Sequence, residues 1–346
     1  MKIAVTALIC LIGLLINMGA YAQTKAAGVR EVSVQAMARD DAIRVMVWYP
    51  SKHDGPTSAI DSNAVFAGAM GQLEASLAPG QFPLVLISHG GFRAAPVHAG
   101  WLASALASRG NIVAVVTPPK AKPGPPPANV LSELVLRPQD LSATLTELKR
   151  NTTFKAHIDF DRVGAVGFFL GGYAVLALAG LELDPDQLAK TCQPVVRSVD
   201  CRWLRSGGIN MQTTDLTPVV RSVQDSRIKA VVAIDPEWMH GASPSGLARI
   251  ETSTHILNVG ESGSTGNVLN GASVSRGIRG ATYSIIKEAG RFSSFSICQD
   301  KGPAILKAEG EDSDLCTDGK TTRPRTQIHQ ELVMLISNKL AHGFSR

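Results

Sequence analysis

Residues Arg162–Gly180 read RVGAVGFFLGGYAVLALAG, and this stretch decides the fold of the chain. The run Val163–Val166 predicts a buried strand, because uninterrupted apolar residues are typical of strands covered on both faces. The small apolar residues that end the stretch predict a helix. Gly167 and Gly171 flank the junction, where a tight turn needs residues without a side chain. The stretch therefore predicts a strand, a sharp turn centred on Phe169 and a helix packed closely against the strand.

Strands and helices alternate along most of the chain. Apolar runs predict strands at 82–87, 112–116, 229–234, 255–259 and 283–287, and alternating apolar residues predict two more between 31 and 49. Helices are predicted at 97–108, from Pro138 onward, at 170–183 and at 324–340, and residues 51–81 are predicted to be irregular. The alternation is typical of a doubly wound, mostly parallel α/β sheet. We expect one domain over residues 23–346, with a small cap insertion at the polar segment 184–227.

The amino terminus has the features of a secretory signal peptide. Lys2 precedes an apolar run from Ile3 to Ile16, and Ala20-Tyr21-Ala22 gives a small-residue cleavage pattern. The apolar run is shorter than the roughly 20 residues that span a bilayer, so a stable membrane anchor is the weaker alternative. Residues 1–22 are therefore predicted to be removed during export to the periplasm or to the outside.

Composition excludes several classes of function. The formal net charge is +5, and no basic stripe accompanies it, so the sequence gives no reason to expect a nucleic-acid partner. No spacing of histidine, cysteine and acidic residues is typical of a metal site. We therefore expect neither a metal nor another cofactor.

Four of the five cysteines lie beyond the predicted signal peptide. An even number in an exported chain predicts two disulfides. The short sequence separations favour Cys192–Cys201 and Cys298–Cys316, although other pairings are formally allowed. Free buried thiols are the alternative.

Five motifs are informative together: VWYP at 47–50, FPLVLISHG at 82–90, RPQDL at 137–141, GFFLGG at 167–172 and AIDPEWM at 233–239. In their order and spacing, they resemble the platelet-activating-factor acetylhydrolase and dienelactone-hydrolase-like branch of the α/β-hydrolases. The resemblance runs from about residue 30 to 340 and implies an α/β-hydrolase fold. It also makes residues 167–171 the counterpart of the nucleophile elbow G-x-S-x-G. We call these five residues the elbow.

The resemblance also assigns positions to the catalytic groups of such esterases. The nucleophilic serine corresponds to Phe169, and the base histidine corresponds to Arg291. The acid corresponds to Asp235 in the acetylhydrolase pattern, whereas the dienelactone-like pattern places it one strand later, near Glu261. The backbone N–H groups of Gly91 and Leu170 correspond to the oxyanion hole.

Two of these positions lack the group that ester hydrolysis requires. Phe169 has no atom that can attack a carbonyl, and the guanidinium of Arg291 stays protonated at physiological pH. We therefore expect a non-catalytic protein that binds a small ester-like ligand or an unknown protein partner. The alternatives are a weak ester hydrolase that uses unconventional residues and a folded product without a selected role. His240, Ser88 and Glu261 are the candidates for such unconventional residues.

Two arrangements are open for Arg291. It could form a salt bridge with Asp235 while Phe169 lies against the guanidinium, which would give an inert pocket. If Asp235 is turned away, Arg291 would instead offer a positive group to a carboxylate or phosphate ligand. The first arrangement is favoured, because a buried arginine needs a partner.

Overall fold

A computed structural model describes residues 26–92, 96–119, 124–192, 199–260, 271–311, 313–319 and 321–345. The predicted signal peptide and Glu261 lie outside the described residues. Within the described ranges, no helix is both long and apolar enough to cross a bilayer.

The described strands form one mixed sheet in the order β10-β9-β8-β7-β5-β6-β2-β1-β4-β3. The strands are β1 (Gly28–Val34), β2 (Ile43–Tyr49), β3 (Thr57–Ile60), β4 (Ala69–Leu73), β5 (Phe82–Ser88), β6 (Ile112–Thr117), β7 (Ile158–Phe168), β8 (Ala230–Ile234), β9 (Ser253–Val259) and β10 (Thr282–Ile286). Neighbouring strands from β10 to β6 are parallel, whereas β2 pairs antiparallel with both β6 and β1. The prediction of a doubly wound, mostly parallel sheet is confirmed.

Helices cover both faces of this sheet. They are α1 (Gly100–Ala107), α2 (Glu133–Arg150), α3 (Leu170–Leu178), α4 (Pro185–Lys190), α5 (Val199–Ser206), α6 (Pro244–Ala248), α7 (Gly271–Gly277), α8 (Gly302–Ala308) and α9 (Arg325–Phe344). Strand β5 shows why both faces need a cover. Its Leu84 and Leu86 enter the core on one face, and its Val85 and Ile87 enter the core on the other.

Two local predictions were wrong. Residues 51–81 were expected to be irregular, but they contain the short strands β3 and β4, whose polar and partly exposed residues carry little hydrophobic pattern. Helix α2 begins at Glu133, five residues before the expected start at Pro138. Pro138 removes one hydrogen bond of the helix, but burial of Leu134 and Val135 extends the apolar face beyond it.

Both predicted disulfides are confirmed. Cys192 and Cys201 have Cα atoms 5.3 Å apart and tie α5 to the end of α4. Cys298 and Cys316 have Cα atoms 5.7 Å apart and connect the chain before α8 with the chain after it.

The segment predicted as a cap contains α4 and α5 and lies between α3 and β8. The ring of Trp203 in α5 lies 6.1 Å from the ring of Phe92, which follows β5. The segment therefore reaches the edge of the sheet where the parallel strands end. We call this the carboxyl edge, and the opposite edge, where these strands begin, the amino edge.

Candidate functional site

The elbow forms a sharp turn between β7 and α3, as the sequence predicts. Phe169 has φ 59° and ψ −119°, a conformation that is costly for any residue with a side chain. Its N–H donates to the carbonyl of Ile234 at 3.0 Å, and its carbonyl accepts from the N–H of Glu237 at 3.0 Å. These hydrogen bonds to the end of β8 and to the loop after it hold the strained backbone of Phe169 in place.

The elbow glycines are required by close backbone contacts. A β-carbon on Gly167 would lie 1.9 Å from the carbonyl oxygen of Gly171, and one on Gly171 would lie 2.1 Å from that of Ser88. Both distances are far shorter than any van der Waals contact. The glycine pattern that suggested the elbow therefore has a direct steric cause.

The side chain of Phe169 is buried in a cluster of rings. It is only 3% exposed, and its ring centroid lies 5.9 Å from that of His89 and 5.6 Å from that of Phe295. The guanidinium carbon of Arg291 lies 5.4 Å from the same centroid, within the range of a cation–π contact. The expected contact between Phe169 and Arg291 is thus present, and the position of the expected nucleophile is filled by packed side chains.

The salt bridge of Arg291 has a different partner from the one expected. Its Nη2 donates to Oε1 of Glu237 at 2.6 Å, so the predicted pair with Asp235 is wrong. The reason lies in the backbone after β8. Asp235 has φ 45° and Trp238 has φ 64°, and the N–H of Glu237 binds the carbonyl of Phe169, which brings Glu237 to the elbow.

Asp235 is fully buried and faces β9. Its Oδ1 accepts from Nδ2 of Asn258 at 2.7 Å and from the N–H of Val259 at 3.2 Å. Burial raises the pKa of Asp235 to about 7, and these hydrogen bonds and the charge of Arg291 oppose the rise. Asn258 was missed because it lies within the apolar run that predicts β9, although a lone amide in such a run is a signal for a buried polar partner.

Glu237 and Asp200 form a pair of carboxyl groups that the sequence analysis also missed. Burial and the negative charge of Asp200 raise the pKa of Glu237 to about 8, while Arg291 opposes the rise. Burial and the nearby charge of Asp200 thus favour the protonated form of Glu237, and the contact with Arg291 favours its ionised form. Asp200 lies in α5, remote in sequence, and no local motif marks it.

This carboxyl pair lies beside the predicted oxyanion hole. A β-carbon on Gly91 would be 3.5 Å from Oδ2 of Asp200 and 3.6 Å from Oε2 of Glu237. Leu170 is the first residue of α3, so its N–H has no acceptor within the helix. Acidic groups at this place disfavour the negative charge that an oxyanion hole stabilises.

Arg137 of the RPQDL motif holds the loop after β5. Its side chain is buried and donates to the carbonyls of Gly90 at 3.2 Å and Gly91 at 2.6 Å. Its other contact is a salt bridge to Glu133 at 3.3 Å. The motif therefore has a structural role that positions Gly91.

The histidines near the elbow are neutral and buried. Burial lowers the pKa of His89 well below its ordinary value and that of His98 to about 3. Within the described residues, neither ring nitrogen of His89 has a hydrogen-bond partner. His240 is exposed in the short turn Met239–Gly241 after β8. In the described part of the chain, His89 therefore contacts no hydroxyl group that it could activate as a base.

Comparison with known proteins identifies the class of fold. The chain matches no protein-family model and no curated protein. Among solved structures, it is similar to ferulic acid esterase from Streptomyces cinnamoneus, with a TM-score of 0.60 and 17% identity over 94% of this chain and 92% of that one. A dienelactone hydrolase from Anabaena variabilis matches with a TM-score of 0.45 and 13% identity over 91% and 98% of the two chains. The strand order of the sheet and the similarity to the ferulic acid esterase structure show that the chain has an α/β-hydrolase fold.

Proposed function

We propose that this protein is a non-catalytic member of the α/β-hydrolase fold that is exported and acts by binding. The observation that carries the proposal is the buried ring of Phe169 at the centre of the elbow, with Arg291 over it. In the resemblance to acetylhydrolases and dienelactone-hydrolase-like esterases, these are the positions of the nucleophile and the base. Neither side chain can perform the corresponding step.

The contacts of Arg291 and Glu237 support an inert site in a second way. The guanidinium is held by Glu237, and the carboxyl pair of Glu237 and Asp200 lies next to Gly91. An ester carbonyl at the elbow would need to displace the Phe169 ring and develop negative charge beside acidic groups. Both requirements oppose acyl transfer at this edge of the sheet.

A panel of short-chain p-nitrophenyl esters tests the proposal. The purified protein should show no turnover above buffer, and Phe169→Ala should show none either. A Phe169→Ser/Arg291→His variant restores the expected nucleophile and base, and Glu237→Gln added to it removes one of the two carboxyl groups beside Gly91. Turnover gained only in the triple variant would indicate that the carboxyl group of Glu237 opposes ester hydrolysis at the elbow.

The second candidate, a weak ester hydrolase with unconventional residues, predicts a different result. Turnover by the unmodified protein that persists in Phe169→Ala would contradict the non-catalytic proposal. Loss of that turnover in Ser88→Ala or His240→Ala would then identify the residue responsible.

A further inference from the structure

A groove lies at the amino edge of the sheet, on the opposite side from the elbow. Its cavity volume is about 470 Å³, within the range of sites for small organic ligands. The groove is lined by the turn before β6, the start of β5, part of β7 and the last turns of α9. It is therefore separated from the elbow by the length of the parallel strands.

The charged side chains that line the groove are arginines. Arg109 and Arg162 line it, and no acidic side chain is among its lining residues. Arg109 is exposed and uses one N–H group on the carbonyl of Ala105. Arg162 uses its Nε on Asp159 at 2.6 Å, and no other contact of its guanidinium is seen within the described residues. Each guanidinium thus keeps N–H groups that can bind an anion.

An irregularity in the sheet places Arg162 at the groove. Pro83 of β5 pairs with Asp159 of β7, but the next residue, Leu84, pairs with Val163. The residues between them on β7 have no partner on β5 and form a bulge. The bulge ends at Arg162, which therefore lines the cavity beyond the regular part of the sheet.

The rest of the lining is apolar or uncharged. The half-buried Phe344 of α9 supplies an apolar wall, with the buried Leu340 behind it, and both pack over β7 at Gly164, where a β-carbon would lie 2.7 Å from Leu340 and 3.0 Å from Phe344. Ser337 also lines the groove, and its buried hydroxyl has no partner within the described residues.

We propose that the amino-edge groove binds an organic carboxylate with an apolar body. The planar guanidinium groups of Arg109 and Arg162 match a carboxylate, and the half-buried ring of Phe344 covers the apolar part. The proposal deepens the binding function proposed above by naming a site and a ligand class. It does not depend on the chemistry of the elbow, since a different edge of the sheet forms the groove.

Isothermal titration calorimetry with 4-phenylbutanoate tests this site on the purified protein at low ionic strength. We expect saturable binding of one molecule per chain. The neutral 4-phenylbutanamide should bind about tenfold more weakly, because it lacks the charge that strengthens hydrogen bonds to arginine. Inorganic phosphate should also bind at least about tenfold more weakly, because it gains nothing from the apolar wall.

Variants locate the binding. Arg109→Gln/Arg162→Gln should weaken binding of 4-phenylbutanoate about tenfold or more, and the single exposed change Arg109→Gln should weaken it in the same direction. Arg221→Gln is the matched control, because Arg221 is exposed and lies in the chain between α5 and β8. Absence of saturable binding, equal binding of phosphate, or equal losses in the control would overturn the proposal. These results are independent of ester turnover, so failure of either proposal can be recognised separately.

Discussion

The two edges of the parallel strands are built in opposite ways. At the carboxyl edge, Phe169 is buried in a strained turn and Arg291 is held by Glu237. At the amino edge, Arg109 and Arg162 line an open groove without an acidic neighbour in its lining. In open α/β sheets, ligands ordinarily bind outside the carboxyl ends of the strands. The comparison indicates that this chain has filled that place with its own side chains and has left two accessible arginines at the opposite edge.

Alanine substitutions of glycines should show the largest difference between the two edges. Gly171→Ala should destabilise the protein by about 4 kcal/mol or more, or prevent folding, because the new β-carbon would meet the backbone of Ser88. Gly110→Ala is the matched change near the groove, where φ is 85° but nothing lies within 4 Å of the added carbon. It should cost only about 1 kcal/mol from backbone strain. Urea unfolding measures both, and equal costs would contradict the close-packed elbow.

Truncation of a phenylalanine at each edge should give the next largest effect. Phe169→Ala should cost about 3 kcal/mol, since it leaves a cavity among rings that are already buried. Phe344→Ala at the half-buried wall of the groove should cost about 1 kcal/mol, because water can enter the space. Thermal and urea unfolding provide the measurement. A gain in stability for Phe169→Ala would contradict a stabilising role of the ring, because alanine keeps the strained backbone and removes only the ring.

The pH dependence of stability should depend on Glu237. Its pKa in the folded protein is about 8, above its ordinary value of 4.5, so the folded state holds a proton that the unfolded state has lost. Stability therefore falls as pH rises from about 5 to 8, by up to about 1.4 kcal/mol per pH unit for each such proton. The raised pKa of Asp235, about 7, acts in the same direction.

Glu237→Gln should reduce this slope, because glutamine can keep the contact with Arg291 without titrating. Unfolding in urea at several pH values gives the slope. Glu309→Gln is the control, because Glu309 is exposed at the end of α8 and should leave the slope unchanged. An unaltered slope in Glu237→Gln would show that Glu237 is already ionised at neutral pH.

Local features of the sequence predicted the elbow and most of the sheet. The glycine pattern around Phe169 and the apolar runs of β5 to β10 arise from residues that are close in sequence. They can therefore be recognised in the sequence itself. The short strands β3 and β4 could not be recognised in the sequence, because their formation depends on pairing at the edge of the sheet. The separations of the cysteines were sufficient to predict the pairs Cys192–Cys201 and Cys298–Cys316.

The partners of the charged groups could not be predicted in the same way. Asp235 and Glu237 are two residues apart, and sequence alone favoured Asp235 as the partner of Arg291. The positive φ angles of Asp235 and Trp238 direct Asp235 toward β9 and bring Glu237 to the elbow. The approach of Asp200 from α5 and the position of Arg162 on a bulge likewise depend on contacts between distant segments.

The sequence by itself determined the alternation of strands and helices from β5 onward, the sharp turn of the elbow and the presence of a phenylalanine at its centre. Only the tertiary structure decided which carboxyl group binds Arg291, which groups lie beside Gly91 and where a groove lined by arginines remains. The physical reason is the separation along the chain over which each effect acts. Steric limits and hydrophobic periodicity act between residues close in the chain, whereas burial, charge pairing and cavity shape depend on segments that meet only in the folded protein.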